Sequence, residues 1–246
     1  MVQWYSIKRG LSRKKGTVMS NKKNAPAKKG NSGVTAIIVI SLVLAVAMLA
    51  VGTIATLKLI NPSLFEKPVK SAYTETDDVT NYVKLSVKGY GDIVMELYPD
   101  VAPITVANFQ MLVHDKFYDG LTFHRIDDLT GTGGYIVQGG DPKGDGTGGS
   151  PNTIKGEFSA NGVTNNLSHT RGVISMARKS SPMDSASSQF FICAGDVTFL
   201  DGSYAAFGRV VEGMDVVDAI SAVSCNSSDK PLTDVVIETA RFVTTK

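Results

Sequence analysis

Cysteine and histidine are scarce in this 246-residue chain. The two cysteines, Cys193 and Cys225, are too few for a disulfide-stabilised scaffold. Cys193 ends an apolar run and is expected to be a small buried hydrophobic side chain. The three histidines, His114, His124 and His169, lack the clustered cysteine or carboxylate spacing of metal ligands. No metal site is therefore predicted, and each histidine is expected to be hydrogen-bonded or exposed to solvent.

Several motifs that carry familiar chemistry are also missing. The sequence has no Gly-x-Ser-x-Gly nucleophile elbow and no His-Glu-x-x-His zinc motif. The run GGDPK at 139–143 lacks the Gly-Lys-Ser/Thr ending of a phosphate loop. The run at 144–149 matches the dinucleotide fingerprint as a string, but Ser-Pro-Asn follows it rather than a helix. No cofactor is therefore expected.

Acidic residues are absent from the first 57 positions, which carry nine lysines and arginines. The rest of the chain has 16 basic and 23 acidic residues, a net charge of −7, although the whole chain is at +2. A nucleic-acid-binding domain would need basic residues on its folded surface. Nucleic acid is therefore not an expected partner.

Charge of either sign is missing from residues 34–57, a run of 24 residues rich in Val, Ile, Leu and Ala. At about 1.5 Å per residue, a helix of this length crosses the roughly 30 Å hydrocarbon core of a bilayer. The basic residues before it place the N-terminus in the cytoplasm by the positive-inside rule. We therefore predict a single-pass signal-anchor in the cell membrane, a basic disordered cytoplasmic tail at 1–33 and an extended linker at 58–80.

A cleaved signal peptide is the competing interpretation of the same segment. Its apolar region would be longer than the usual stretch of about 7–15 residues, although Ala50-Val51-Gly52 offers small residues to a peptidase. Cleavage would make the protein secreted rather than membrane-bound. Met19 is an alternative start, because the residues after it would still form a basic leader.

From residue 81 onward the pattern changes. Alternating apolar and polar residues predict a series of short strands, and apolar stripes predict two helices. The predicted strands are 82–87, 93–97, 121–126, 135–141, 172–177, 189–193, 205–210 and 235–242, and the helices start near residues 103 and 214 and run to about 113 and 223. This content predicts a mainly β domain over 81–246, a closed antiparallel barrel with helical caps.

Two of these runs, 121–126 and 135–141, bracket a loop of turn-forming residues and predict a β-hairpin. Arg125 and Gln138 sit near the ends of the runs, so the hairpin would bring them to one surface beside apolar side chains. A fixed cation and an amide over an apolar patch suit an uncharged substrate that carries a carbonyl group. A solvated arginine at a strand end is the simpler alternative on this pattern alone.

Further motifs accompany the hairpin. The run SQFFIC at 188–193 is followed by FLDG at 199–202 and FGRV at 207–210. Together with FHR at 123–125, QGGD at 138–141, GTGG at 146–149, GVISMA at 172–177 and EGM at 212–214, these runs resemble the cyclophilin family of peptidyl-prolyl isomerases over residues 82–242. The resemblance implies an eight-stranded antiparallel barrel with a packed interior, capped by two α-helices, with its site on the outer wall.

The resemblance also implies a role for each matching residue. Arg125 matches the family's catalytic arginine, and Gln138 and Gln189 match the glutamines that hold it and bind the substrate backbone. The other matches line the substrate groove, and they are Tyr135 (usually Phe), Ile136 (often Met), Gly146, Ala177, Arg178, Phe191, Phe199 (often Trp), Leu200 and Tyr204 (often His). The connection at 127–134 is longer than usual and could bend over the groove.

The resemblance implies a peptidyl-prolyl cis-trans isomerase that acts on proline-containing polypeptides, and a monomer is expected. The predicted membrane anchor places this activity outside the cytoplasmic membrane. The family's tryptophan at the position of Phe199 donates a hydrogen bond to the cyclic peptide cyclosporin, so only weak cyclosporin binding is expected here. A proline-peptide-binding scaffold with little turnover is the alternative. The joint presence of Arg125, Gln138 and Phe191 favours the enzyme.

Overall fold

The computed structural model describes residues 71–246. The predicted tail at 1–33, the predicted membrane span at 34–57 and most of the predicted linker at 58–80 lie outside these residues, so they stay predictions. Among the helices of residues 71–246, none is both long and apolar enough to cross a bilayer.

Nine antiparallel strands form one sheet in the described part of the chain. The predicted alternation is clearest in Tyr82–Val87, where every second side chain is buried. The strands are β1 (Tyr73–Glu75), β2 (Tyr82–Val87), β3 (Gly91–Leu97), β4 (Thr122–Asp128), β5 (Tyr135–Asp141), β6 (Val173–Met176), β7 (Phe190–Cys193), β8 (Ala206–Glu212) and β9 (Val235–Thr245).

Eight of the strands close into a barrel. They are hydrogen-bonded in the order β9-β2-β3-β8-β6-β7-β5-β4. The last strand, β4, pairs with the first, β9, through Thr122↔Val236 and Phe123↔Val235, and this pairing closes the ring. Closure satisfies the strand edges that an open sheet would leave unpaired. The predicted closed antiparallel barrel is confirmed.

β1 lies outside the closed ring. It pairs antiparallel with the last three residues of β9, and the Glu75 carboxylate lies 2.6 Å from Lys84 Nζ on β2. The sequence pattern assigned these residues to the linker and ended β9 at Phe242. Pairing with β1 is the reason that β9 continues to Thr245.

Aromatic rings fill the barrel against helix α1 (Pro103–His114). The ring of Phe109 in α1 lies 5.4 Å from that of Phe190 and 5.2 Å from that of Phe207, centroid to centroid. Phe123 meets Phe190 edge-on at 6.1 Å. All four rings are fully buried, and burying each contributes roughly 1.5–3 kcal/mol to folding.

Helix α2 (Met214–Ser221) packs on the core through Val216, Val217 and Ile220. It follows Gly213, whose φ is +90°. A Cβ at this position would lie 2.2 Å from the Asp92 carbonyl oxygen, so only glycine fits the junction between β8 and α2. The helix ends two residues before its predicted end at 223.

Candidate active site

Arg125 and Gln138 face each other on neighbouring strands. β4 and β5 pair antiparallel, with Arg125 directly opposite Gln138, as the predicted hairpin required. Arg125 Nη1 donates a hydrogen bond to Gln138 Oε1 at 3.3 Å, and 38% of the arginine side chain is exposed. The guanidinium is thus held at one nitrogen while part of it stays open to solvent.

A chain of amides extends from Gln138 into the loop at 141–149. Gln138 Nε2 donates to Gln189 Oε1 at 2.9 Å. Gln189 Nε2 in turn donates to the carbonyl oxygens of Gly146 at 3.1 Å and Gly148 at 2.7 Å. The buried Asp141 carboxylate shapes this loop by accepting the Gly146 N–H at 2.7 Å. Because each amide has a fixed partner, the side-chain oxygen of Gln138 is directed at the guanidinium.

An apolar cluster adjoins this polar chain, because Phe191 of β7 pairs with Gln138 across the strands. The Phe191 ring meets the Tyr204 ring edge-on at 6.0 Å. Buried members of the cluster are Ile136, Val173, Phe191, Cys193, Val197 and Ala206, and the partly buried Leu129, Leu167, Ala177, Leu200 and Tyr204 pack against them. The cluster therefore offers an apolar wall next to Arg125.

His169 supports the Phe191 ring from behind. The two rings stack with centroids 6.0 Å apart and an angle of 18° between their planes. His169 Nδ1 lies 2.8 Å from Asp201 Oδ1, and Nε2 lies 3.0 Å from Ser175 Oγ. Burial lowers the pKa of His169, although Asp201 acts in the opposite direction. His169 is thus a buried histidine with both ring nitrogens hydrogen-bonded, as expected.

Cys193 is also buried within this cluster. Burial raises the pKa of its thiol to about 12. The side chain is therefore an unreactive apolar group at neutral pH, and the prediction of a buried hydrophobic cysteine is confirmed.

A cavity of about 270 Å³ lies beside the amide chain. Its lining includes Gln138 and Gln189 together with the predicted groove residues Gly146, Ala177 and Arg178. Arg178 is fixed there, because its Nε donates to the Ser203 carbonyl oxygen at 2.9 Å and its guanidinium lies 4.9 Å from the centroid of the Tyr204 ring. The cavity wall is thus rigid, polar and cationic on one side.

Two predicted groove residues lie apart from these features. Tyr135 begins β5 with 36% of its surface exposed, and Phe199, in the 3₁₀ helix Thr198–Leu200, is 61% exposed. Neither belongs to the apolar cluster or lines the cavity. Both rings are accessible to a bound polypeptide.

Asp127 is a site residue that the sequence analysis did not single out. Its Oδ2 accepts a hydrogen bond from Arg125 Nη2. The sequence pattern placed Asp127 in the connection at 127–134, but β4 continues through Asp128. Side chains at positions i and i+2 of a strand share one face, so the spacing of Arg125 and Asp127 is a sequence signal from which this contact could be predicted.

The connection between β4 and β5 is therefore shorter than predicted and spans residues 129–134. The Asp128 carboxylate accepts the backbone N–H groups of Thr130 at 3.2 Å and Gly133 at 2.9 Å. Leu129 packs against the apolar cluster. The first residue of the loop thus contributes to the cluster that contains Phe191.

His124 contradicts the expectation of a hydrogen-bonded or exposed histidine. It is only 4% exposed, and neither ring nitrogen has a hydrogen-bond partner within residues 71–246. His124 lies at an irregularity in the pairing of β4 with β5, where Phe123 pairs with Gly139 and Arg125 with Gln138, and no local sequence pattern reveals this. Burial lowers the pKa of His124, although the nearby Asp141 carboxylate acts in the opposite direction.

The lowered pKa values of His124 and His169 predict a loss of stability in mild acid. In the unfolded chain a histidine takes up its proton near pH 6.5, whereas in the folded state it does so only at lower pH. The stability that these two neutral histidines contribute should be fully present above about pH 6.5. Below that pH the free energy of unfolding should fall by at most about 1.4 kcal/mol per pH unit for each histidine. We expect urea unfolding of residues 71–246 to show this slope.

Replacing His124 shows whether this histidine contributes to the pH dependence of stability. His124→Leu should reduce the loss of unfolding free energy between pH 7.5 and 5.5, because a leucine at this buried position takes up no proton. Equal pH slopes for the parent and His124→Leu would contradict the prediction.

Comparisons with known proteins agree with this geometry. The family model described as cyclophilin type peptidyl-prolyl cis-trans isomerase/CLD matches residues 82–242. The peptidyl-prolyl cis-trans isomerase ppi1 of Schizosaccharomyces pombe is 38% identical over 143 residues, which cover 58% of this chain and 86% of that protein. A peptidyl-prolyl cis-trans isomerase of Acinetobacter baylyi is 42% identical over 142 residues, covering 54% of this chain and 68% of that protein.

A solved structure gives the same result. The crystal structure of a Cryptosporidium parvum cyclophilin type peptidyl-prolyl cis-trans isomerase, determined in the presence of the dipeptide Ala-Pro, superposes with a TM-score of 0.58 at 29% identity. The superposition covers 65% of this chain and 97% of that one. With its closed barrel and its Arg125–Gln138 pair, the chain belongs to the cyclophilin family and is a peptidyl-prolyl cis-trans isomerase.

Proposed function

We propose that this isomerase uses Arg125 to catalyse rotation about Xaa–Pro bonds in polypeptides outside the cytoplasmic membrane, to which residues 34–57 anchor it. The observation that carries the catalytic part is the guanidinium of Arg125, held by Gln138 next to the apolar cluster around Phe191. A related crystal structure determined in the presence of the dipeptide Ala-Pro supports a proline-containing substrate.

The chemistry follows from the peptide bond. Amide resonance gives rotation about the bond a barrier of about 18–20 kcal/mol. The two Xaa–Pro isomers lie close in energy, yet they exchange in tens to hundreds of seconds, which is slow enough to limit folding. Halfway through the rotation the nitrogen is pyramidal and its lone pair is no longer shared with the carbonyl. A donor that binds this nitrogen stabilises the twisted state and not the planar one, as catalysis requires.

The surface offers both parts of this task. Arg125 is the donor, and the amide chain through Gln138 and Gln189 keeps it in place. Phe191 and Leu200 supply the apolar wall on which the proline ring rests. The proline is thus held while the preceding carbonyl turns, and no proton transfer or covalent intermediate is required.

A protease-coupled isomerisation assay tests the proposal. The full-length chain in mild detergent should accelerate the cis-to-trans conversion of an Xaa–Pro peptide above the uncatalysed rate. Binding of the peptide without acceleration would contradict it and favour the proline-peptide-binding scaffold.

The anchor carries a prediction of its own. The uncharged run at 34–57 and the basic residues before it should keep the intact protein in the membrane fraction after carbonate extraction. Protease added to spheroplasts should degrade the isomerase domain, because that domain is predicted to lie outside. Full-length protein in the soluble fraction would contradict the anchor, and a mature N-terminus near Gly52 would show secretion instead.

Phe199 carries a prediction about inhibition. Its exposed ring can meet a cyclic peptide ligand, but phenylalanine has no N–H to donate. The missing hydrogen bond should weaken cyclosporin binding by about 1–3 kcal/mol, roughly 5- to 150-fold in Kd. Phe199→Trp should therefore bind cyclosporin more tightly than the parent, as measured by inhibition of isomerisation. Equal inhibition of the two proteins would show that this contact contributes nothing here.

A further inference from the structure

Asp127 gives the Arg125 guanidinium a second anchor. Gln138 Oε1 accepts from Nη1 at 3.3 Å, and Asp127 Oδ2 accepts from Nη2. We propose that Asp127 is a positioning residue of the isomerase, which sets the plane of the guanidinium before the substrate binds. The inference rests on the proposed role of Arg125 and concerns how that arginine is oriented.

Two acceptors that bind different nitrogens restrict the orientation of the guanidinium more than one acceptor does. A guanidinium held only at Nη1 can pivot about that hydrogen bond, whereas a second contact at Nη2 defines its plane. The anchors also come from different strands, since Gln138 lies on β5 and Asp127 on β4. Two strands of the barrel therefore fix the plane of the guanidinium.

The Gln138 side chain and the backbone next to Asp127 are both held in place. Gln138 is fixed by Gln189 at 2.9 Å. Next to Asp127, Ile126 is buried in the core and donates its backbone N–H to the Asp229 carbonyl oxygen at 2.8 Å. Such preorganisation lowers a barrier because the catalytic group does not have to be ordered during the reaction.

The charge of Asp127 acts in the opposite direction, because a carboxylate weakens the positive field of the guanidinium. We expect the orientation of the guanidinium N–H donor to affect the rate more than the strength of its positive field does. The prolyl nitrogen carries no net charge in the twisted state, so its interaction depends on the direction of the N–H donor. Solvent also reaches both side chains, 38% of Arg125 and 21% of Asp127, and screens the net charge.

Steady-state kinetics on the full-length protein test the inference. Asp127→Ala should lower kcat about 3- to 10-fold and leave KM within about two-fold, because the lost orientation matters only in the twisted state. Asp127→Asn keeps an acceptor oxygen in place without the charge, and it should recover most of the rate. Asp115→Asn is the control, since the exposed Asp115 carboxylate contacts only His114 within residues 71–246 and should leave the rate unchanged.

A double substitution separates this inference from the proposed role of Arg125. If Asp127 acts through Arg125, then Asp127→Ala should have no further effect on the residual rate of Arg125→Ala. An equal slowing in both backgrounds, or a parental kcat for Asp127→Ala beside a slowed Arg125→Ala, would overturn the inference alone. A parental rate for Arg125→Ala would overturn the proposed role of Arg125 and this inference with it.

Nuclear magnetic resonance of the Arg125 side chain tests the anchoring without turnover. The Nη signals should be resolved in the parent and averaged by rotation in Asp127→Ala. Resolved signals in Asp127→Ala would show that Gln138 alone fixes the guanidinium and would overturn the inference.

Discussion

Replacing Arg125 by alanine should slow isomerisation roughly 10- to 100-fold while the barrel stays folded. The variant loses one charge-assisted hydrogen bond to the twisted state, which is worth about 1.5–3 kcal/mol. Peptide affinity should change much less, because the apolar cluster around Phe191 and the cavity beside Gln189 remain. The side chain is partly exposed on the barrel wall, so its removal leaves the core intact.

Arg125→Lys is the informative partner of this variant. Lysine keeps the positive charge but cannot donate to Gln138 and Asp127 from two nitrogens at once while it faces the substrate. We expect lysine to recover little of the lost rate. The measurements are kcat, peptide affinity and circular dichroism for the parent and both variants. A folded Arg125→Ala protein that binds peptide and turns over at the parental rate would contradict the mechanism.

The barrel was predictable because its strands are half buried. In β2 fully buried and half-buried side chains alternate along the whole strand, so the sequence shows a period of two residues. β1 has no such signal, since Tyr73–Glu75 is short and largely exposed. It is a strand only because it pairs with the end of β9, and that pairing joins residues far apart in the chain.

In the candidate site, too, some features could be predicted from the sequence and others could not. The hairpin predicted that Arg125 and Gln138 would meet, because antiparallel pairing fixes which residues lie opposite each other. His124, buried without a partner within residues 71–246, lies at an irregularity in the pairing of β4 with β5 that has no local signature in the sequence. The support of Phe191 by His169 and Asp201 is equally non-local, since Asp201 lies 32 residues from His169.

The start of helix α1 shows a further long-range dependence, on Glu157. A helix leaves its first N–H groups without partners inside the helix. Ala102 at the N-cap has no side-chain acceptor, and Pro103 has no N–H. The next two donors, the N–H groups of Ile104 and Thr105, both bond the Glu157 carboxylate, at 3.1 Å and 2.8 Å. Glu157, only 2% exposed, thus caps a helix that begins more than 50 residues earlier in the chain.

Glu157→Ala should therefore destabilise the domain by about 3–5 kcal/mol, because each donor left without an acceptor costs about 1–3 kcal/mol and Glu157 accepts from three donors. This is a large share of the roughly 5–15 kcal/mol that keeps a protein folded. The substitution leaves the buried N–H of Thr105, the partly buried N–H of Ile104 and the Thr105 hydroxyl without an acceptor, and it removes a negative charge from the positive end of the helix. Glu157→Gln keeps one acceptor oxygen and should cost about half as much. Thr105→Val is the matched control, because it removes only the 2.7 Å contact of Thr105 Oγ1 with Glu157 Oε2 and should cost about 1 kcal/mol.

Thermal and urea unfolding of residues 71–246 measure these differences, and at roughly 2–4 °C per kcal/mol the alanine variant should melt at least about 6 °C below the parent. Among the three variants, Glu157→Ala should be the least stable and Thr105→Val the most stable. If Glu157→Ala were no less stable than Thr105→Val, the carboxylate would not be capping the helix, and the N–H groups of Ile104 and Thr105 would have to be satisfied by water. If Glu157→Gln were as destabilised as Glu157→Ala, the charge at the helix start would matter more than the hydrogen bonds, because glutamine preserves one acceptor but not the charge.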